Sequence, residues 1–206
     1  MKTKKMIPFL ISAMIAVIPV MSVSAGTLTN TDKDGSTEVT ANIVDPGSVS
    51  YVITIPETAD FGTLIQPENT DTAHYAYHNF QVEATELNIN SNQAVSVYIK
   101  DSASTDNQFY LTQKDVASDP FKISYDVYDD AVSDTNITDL TAINDDSAPG
   151  SYGYHLTTFA SGTEGATQDV TLALNQNALY DQDLSAIAGD YSGTILFHSA
   201  LITRTT

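Results

Sequence analysis

Apolar and polar residues alternate with a period of two through most of the chain beyond residue 37, the pattern of strands with one face to bury. Val39, Ala41 and Ile43 alternate with Thr40 and Asn42, Asp45-Pro46-Gly47 makes a turn, and Val49, Tyr51, Ile53 and Ile55 resume the pattern. Proline presets the first central dihedral of such a turn and glycine accepts a positive φ, so the segment predicts a hairpin. Phe80, Val82 and Ala84, then Val95, Val97 and Ile99, predict the next two strands. Phe121, Ile123, Tyr125 and Val127, and Val170, Leu172 and Leu174, predict two more, and Tyr191, Ile195, Phe197 and Leu201 read as one long closing strand. Shorter candidates lie at 109–111 and 152–158.

No helical stripe of about ten or more residues is present after the N-terminal region. Only 178–188 reads as a short helical turn, because Leu179, Leu184 and Ile187 lack strand alternation. A single sheet would leave the apolar faces wet, and two sheets packed face to face cover them. The expected class is therefore all-β, an immunoglobulin-like β-sandwich of about seven to nine mainly antiparallel strands with long polar loops. A closed barrel is the alternative. Two connections stand out by length, 66–79 and 129–150. The second carries Asp129, Asp130, Asp134, Asp139, Asp145 and Asp146 without a positive charge and reads as a solvated loop, although long loops on a rigid sandwich also carry binding functions.

The first 25 residues have a different pattern. Lys2, Lys4 and Lys5 precede an apolar run over 6–23, and Val23-Ser24-Ala25 offers small residues for cleavage before Gly26. The run is long enough to span a bilayer, but Pro8 and Pro19 interrupt it, so a cleaved signal peptide is expected rather than an anchor. The expected organisation is a signal peptide over 1–25, a polar extension over 26–36 and one sandwich domain over 37–206. The expected location is secreted or cell-surface, with no transmembrane segment after cleavage. A short Lys-led leader suits a Gram-positive bacterium. No Leu-Pro-x-Thr-Gly sorting signal occurs, so covalent wall attachment is not expected.

Charge narrows the partners. The full chain has a formal charge of −18, and without the leader five basic residues face 26 acids, a formal charge of −21. Lys33, Lys100, Lys114, Lys122 and Arg204 are scattered singly. Nucleic acid needs a basic stripe to displace counterions and is excluded as a partner, and an anionic membrane surface is disfavoured for the same reason. Cysteine is absent, which removes disulfides, thiolate metal sites and cysteine nucleophiles.

Candidate chemistry is sparse. Residues 30–35, Asn-Thr-Asp-Lys-Asp-Gly, match the opening of a calcium loop in which Asn30, Asp32, Asp34 and Glu38 would supply oxygens. Ala41 stands where the bidentate glutamate belongs, so the segment reads as a polar extension with an Asp-Gly turn and no metal is expected. His74 and His78 are four apart, but on a strand that separation is about 13 Å, and His155 and His198 are isolated. Acids are plentiful without one marked pair, and no Gly-x-Ser-x-Gly elbow is present, so neither an enzyme nor a cofactor is expected. Tryptophan is absent, which weakens a carbohydrate-binding platform, and eleven tyrosines, which offer apolar faces with hydroxyls, partly compensate. Tyr75, Tyr77, Tyr152 and Tyr154 fall near loops or strand ends and are the candidate contacts to a ligand or partner; half-buried strand positions are the alternative.

Tyr51-Val-Ile-Thr-Ile-Pro56 with Phe61-Gly62, and Ala188-Gly-Asp-Tyr-Ser-Gly-Thr-Ile-Leu-Phe197, resemble the opening and closing strands of WxL-type surface proteins of Gram-positive bacteria. That resemblance implies an extracellular β-sandwich with an adhesin-like or structural role. Where the family has Trp-x-Leu this chain has Phe197-His198-Ser199, so the family's peptidoglycan binding does not carry over. The expected function is non-enzymatic interaction with protein or glycan at a cell surface. A pilus-type subunit that assembles by strand exchange through 26–36, and a glycan-binding or glycan-active module, are the alternatives, and self-association is left open.

Overall fold

The computed structural model describes residues 49–146 and 149–204. The leader, the polar extension, the calcium-type residues Asn30, Asp32, Asp34 and Glu38, and the expected first strand with its Asp45-Pro46-Gly47 turn lie outside the described residues. In chain order the strands are β1 (Ser50–Thr54), β2 (Tyr75–Asn88), β3 (Gln93–Asp101), β4 (Phe109–Gln113), β5 (Lys122–Tyr128), β6 (Tyr154–Ala160), β7 (Thr167–Asn175), β8 (Tyr191–Ser192) and β9 (Ile195–Thr203). Two one-turn helices, α1 (Ile143–Asp146) and α2 (Leu184–Ile187), accompany 3₁₀ turns at Ile137–Asp139 and Gln176–Leu179. The Asp183 side chain caps α2 by accepting from the Ser185 amide at 3.0 Å.

The fold is all-β. A six-stranded sheet ordered β1-β2-β7-β5-β4-β8 packs on a three-stranded sheet ordered β6-β3-β9, and every strand pairing is antiparallel. Val82, Ile123, Val127 and Leu172 from the larger sheet meet Val97, Ile99, Leu156 and Phe159 from the smaller in one core. Alternation places these residues on the inner faces, as the two-residue period of a strand requires.

The long closing strand expected over 191–201 is two strands in different sheets. Tyr191 and Ser192 pair with Gln113 and Thr112 of β4, whereas β9 runs along β3 from Ile195↔Asp101 to Thr203↔Gln93. Gly193 and Thr194 carry the chain across. A Cβ on Gly193 would stand 2.3 Å from the Tyr110 carbonyl oxygen, so only glycine lets the backbone pass there.

The connection expected over 66–79 is displaced and longer, running over 55–74 from the end of β1 to Tyr75, where β2 begins. The acidic connection over 129–150 is also not simply solvated. Val132, Ile137 and Ala142 are buried there, and with Tyr128 and Ala173 they form a second small core. This layer covers the outer face of β7, which explains why β7 is buried continuously from Val170 to Leu174 instead of at alternate positions. Thr171, fully buried, anchors the layer. Its Oγ1 accepts from the Val132 amide at 3.0 Å, and its single proton is shared between Asn79 Oδ1 at 2.7 Å and the Asp130 carbonyl at 2.8 Å.

Candidate interaction surfaces

The tyrosines singled out by sequence divide into three kinds of position. Tyr75 and Tyr77 lie two apart on β2 and so share a face. Their rings sit 5.7 Å apart, near parallel, against the small core under the acidic connection. The Tyr77 hydroxyl donates to Asp134 Oδ1 at 2.8 Å. Burial and then that hydrogen bond push the Tyr77 phenol well above its ordinary range, so this pair pins the connection to the sheet. Tyr154 is only 4 % exposed. Its ring packs on Phe109 and its hydroxyl donates to the Asn107 carbonyl at 2.7 Å, which makes it a core residue and not a surface contact.

Tyr152 is different. It sits at the tip of a tight turn closed by paired Gly150 and Gly153 backbone bonds of 3.0 and 3.1 Å. Gly153 has φ +107°, and a Cβ there would lie 2.2 Å from the Ile99 carbonyl oxygen, so the turn is held directly against β3. Tyr152 stays 48 % exposed and lies over the outer face of the three-stranded sheet, its ring 4.0 Å from that of His198 and 12° from parallel. Tyr98 is 5.7 Å from Tyr152 and 5.6 Å from His155.

The result is a continuous strip of four rings, His155, Tyr98, Tyr152 and His198. Strand register builds it: Tyr98 is directly opposite His155 on β6 and His198 on β9. The histidines, isolated in sequence, are thus neighbours of one tyrosine. His155 Nε2 lies 2.8 Å from Thr158 Oγ1, and Thr158 in turn bonds Ser96 at 2.9 Å. Within β3, β6 and β9 the one carboxylate is Asp101. It is occupied at the strand end, accepting from the amides of Ala103, Ser104 and Tyr110. Beside the Tyr152 turn a cleft of about 380 Å³ is lined by Lys100, Asn107, Ser151 and Leu196 among others.

A second surface follows the edge of the smaller sheet. Among the described residues β9 pairs on one side alone, with β3. Next to it a groove of about 300 Å³ is bordered by Pro56, Phe61, Phe80, Ile195 and Phe197. Phe80 and Phe197 meet edge to face at 6.3 Å across the two sheets and are only half-buried.

The buried polar groups serve the fold. Asn144 Oδ1 accepts from the Val127 amide at 3.1 Å, and its Nδ2 donates to Asp126 and Gln108. Burial raises the Asp126 carboxyl above its ordinary range. His74 and His78 do not converge, since His78 Nδ1 sits 3.0 Å from the Asp60 carbonyl oxygen. Among the described residues no group of three or more His, Asp or Glu could hold a metal ion, and no helix is long and apolar enough to cross a membrane.

No family model matches the chain, and no curated protein matches it. Among solved structures the chain is similar to one described as "Chaperone-tip adhesin complex is vital for synergistic activation of CFA/I fimbriae biogenesis", with 14 % identity and a TM-score of 0.44. The match covers 79 % of this chain and spans 43 % of that one. A likeness at that level carries no argument about function.

Proposed function

We propose that this chain is a secreted, non-enzymatic β-sandwich that acts as an adhesin-like interaction module at a bacterial cell surface. The observation that carries the reading is the largely exposed aromatic strip on a sheet whose outward strand positions, among the described residues, hold no carboxylate, in a chain with 26 acids. An outer strand face with no partner to meet would be expected to share in the protein's general acidity; three exposed rings, one of them held by a glycine-closed turn, favour contact instead. Export through the Lys-led leader, the WxL-like opening and closing strands and the Tyr-based contact fit the same role. The test is to incubate the chain, as secreted by an expression host, with bacterial cells and cell-wall fragments, and to sediment them. The wild-type chain should co-sediment and Tyr152→Ala should stay in solution. A wild-type chain that binds no surface, or one recovered with residues 1–25 still in place inside the cell, would refute the proposal.

A second reading, a filament subunit that joins copies by strand exchange, is favoured by the half-buried Phe80 and Phe197 beside the edge of β9. Extended segments add to such edges through main-chain hydrogen bonds, with alternate side chains entering the groove. Residues 26–36 are the donated strand in this reading. Light scattering should then show concentration-dependent polymers that disappear when 26–36 are deleted, and a strictly monomeric chain would eliminate it.

A further inference from the structure

We propose that the strip formed by Tyr98, Tyr152, His155 and His198 is a saccharide-binding site that takes a neutral pyranose unit of a surface glycan. This assignment deepens the adhesin-like reading and rests on it.

Three features of the site select that ligand. First, the rings form a shallow aromatic ridge rather than a closed apolar pocket: Tyr152 and His198 are parallel at 4.0 Å, Tyr98 is tilted by 51° to Tyr152, and Tyr152, His155 and His198 are all exposed. A flat ring with one apolar face and hydroxyls around its rim matches a tyrosine face flanked by polar groups, whereas an apolar peptide anchor would need a pocket to fill. Second, polar groups border the ridge where a sugar's rim would lie. Lys100, Asp101, Ser151 and Asn107 line the adjoining cleft, the Asp101 carboxylate being taken up by the amides of Ala103, Ser104 and Tyr110, and its volume of about 380 Å³ falls within the range of small-ligand clefts. Third, charge decides between sugar classes. The formal charge of −21 on the chain without its leader repels anionic glycans at long range, and one lysine beside the strip does not reverse that field. None of the four strip residues is a carboxylate, and Asp101 in the adjoining cleft already accepts from three amides, so a neutral ring covers the strip without burying an unpaired charge.

The turn makes Tyr152 the pivotal residue. The Gly150 and Gly153 bonds and the close approach of Gly153 to Ile99 fix the backbone on either side of it, so the ring is held in place before a ligand arrives and little ordering cost remains.

The test is calorimetric titration of the secreted full chain with chitotetraose, cellotetraose and mannotetraose as neutral probes, and with a hyaluronan tetrasaccharide as the anionic one. At least one neutral tetrasaccharide should bind. Tyr152→Ala should weaken that binding about tenfold, the scale of one lost aromatic contact. Tyr152→Phe, which keeps the ring, should stay within about twofold of wild type. Tyr77→Phe, far from the strip, should leave affinity unchanged. Binding of no neutral probe, equal or tighter binding of the hyaluronan tetrasaccharide, or affinity indifferent to Tyr152→Ala would each overturn the assignment. So would a self-associated wild type that Tyr152→Ala converts to monomer, which would mean that a second copy covers the strip. If cells still bind the chain through Tyr152 while every sugar fails, the interaction-module reading stands and the saccharide assignment falls.

Discussion

Replacing Thr171 with valine tests whether the acidic connection is fastened to the sheet or merely lies on it. The two side chains are nearly the same shape, so the change removes one hydroxyl and leaves no cavity. Thr171 is fully buried, and Val132, whose amide donates to its Oγ1 at 3.0 Å, is 4 % exposed. Water therefore cannot replace that acceptor, and the orphaned N–H costs about 1–3 kcal/mol. The other two partners lose less, because Asn79 and Asp130 are exposed and can be hydrated. The net expectation is destabilisation by about 1–3 kcal/mol, which for a domain of this size lowers the melting temperature by roughly 2–4 °C per kcal/mol. Urea unfolding supplies the global value. Hydrogen exchange supplies the local one: the Val132 amide and its neighbours up to Ala142 should exchange about 5- to 150-fold faster through local opening, without urea, while amides of β3 that open only by global unfolding should follow the urea value. A loss below about 0.5 kcal/mol with unaltered exchange over 132–142 would show that the hydroxyl does not hold this layer, and the reasoning would fail.

Other substitutions test other parts of the fold. Gly193→Ala should destabilise by roughly 1–3 kcal/mol, since a Cβ 2.3 Å from a carbonyl oxygen forces the crossover between sheets to move; an unchanged urea midpoint would contradict it. Asn144→Ala removes the buried acceptor of the Val127 amide and should cost about 1–3 kcal/mol, with Asn144→Asp worse at neutral pH because a second carboxylate would face Asp126. Hydrogen bonds from Ser104 and then Tyr110 lower the Asp106 carboxyl from its ordinary 3.8 to about 2. A depressed carboxyl stabilises the fold above its unfolded pKa and loses that effect as pH falls. Asp106→Asn should therefore be less stable than wild type above pH 3.8, with the gap closing towards pH 2, and a gap independent of pH would count against this assignment.

Period-two alternation made the inner faces legible. Val95, Val97 and Ile99, and Ile123, Tyr125 and Val127, are where their spacing put them, because inner positions of an antiparallel sandwich carry the largest burial and the clearest pattern. The pattern failed where apolar residues are spaced irregularly. Val132, Ile137 and Ala142 stand singly among aspartates, so composition suggested a solvated loop, while Ala173 and Thr171 on β7 hid that this strand is covered on both faces. In sequence the closing segment reads as one strand because Tyr191, Ile195, Phe197 and Leu201 continue the apolar pattern past Gly193. The glycine was the available signal. Within the aromatic strip, the exposed place of Tyr152 was legible from its Gly-Ser-Tyr-Gly turn. Tyr98, His155 and His198 were not, because only strand register brings them together and register is not written in any one of the segments.

The asymmetry of the two sheets explains where contact chemistry can lie. The outer face of the larger sheet is already partly occupied by the acidic connection, which Tyr75, Tyr77 and Thr171 secure. The smaller sheet has no such cover among the described residues, yet its outer positions are not filled with the Asp and Glu that solubility alone would favour. Tyr152, His155 and His198 gain little for folding, since they are exposed and the burial of the four rings against one another is partial. They are nevertheless assembled from three strands and a turn whose glycines admit no Cβ at Gly153. Register across three strands therefore builds a feature that contributes little to the core, and the proposed saccharide contact is what would give that arrangement a use.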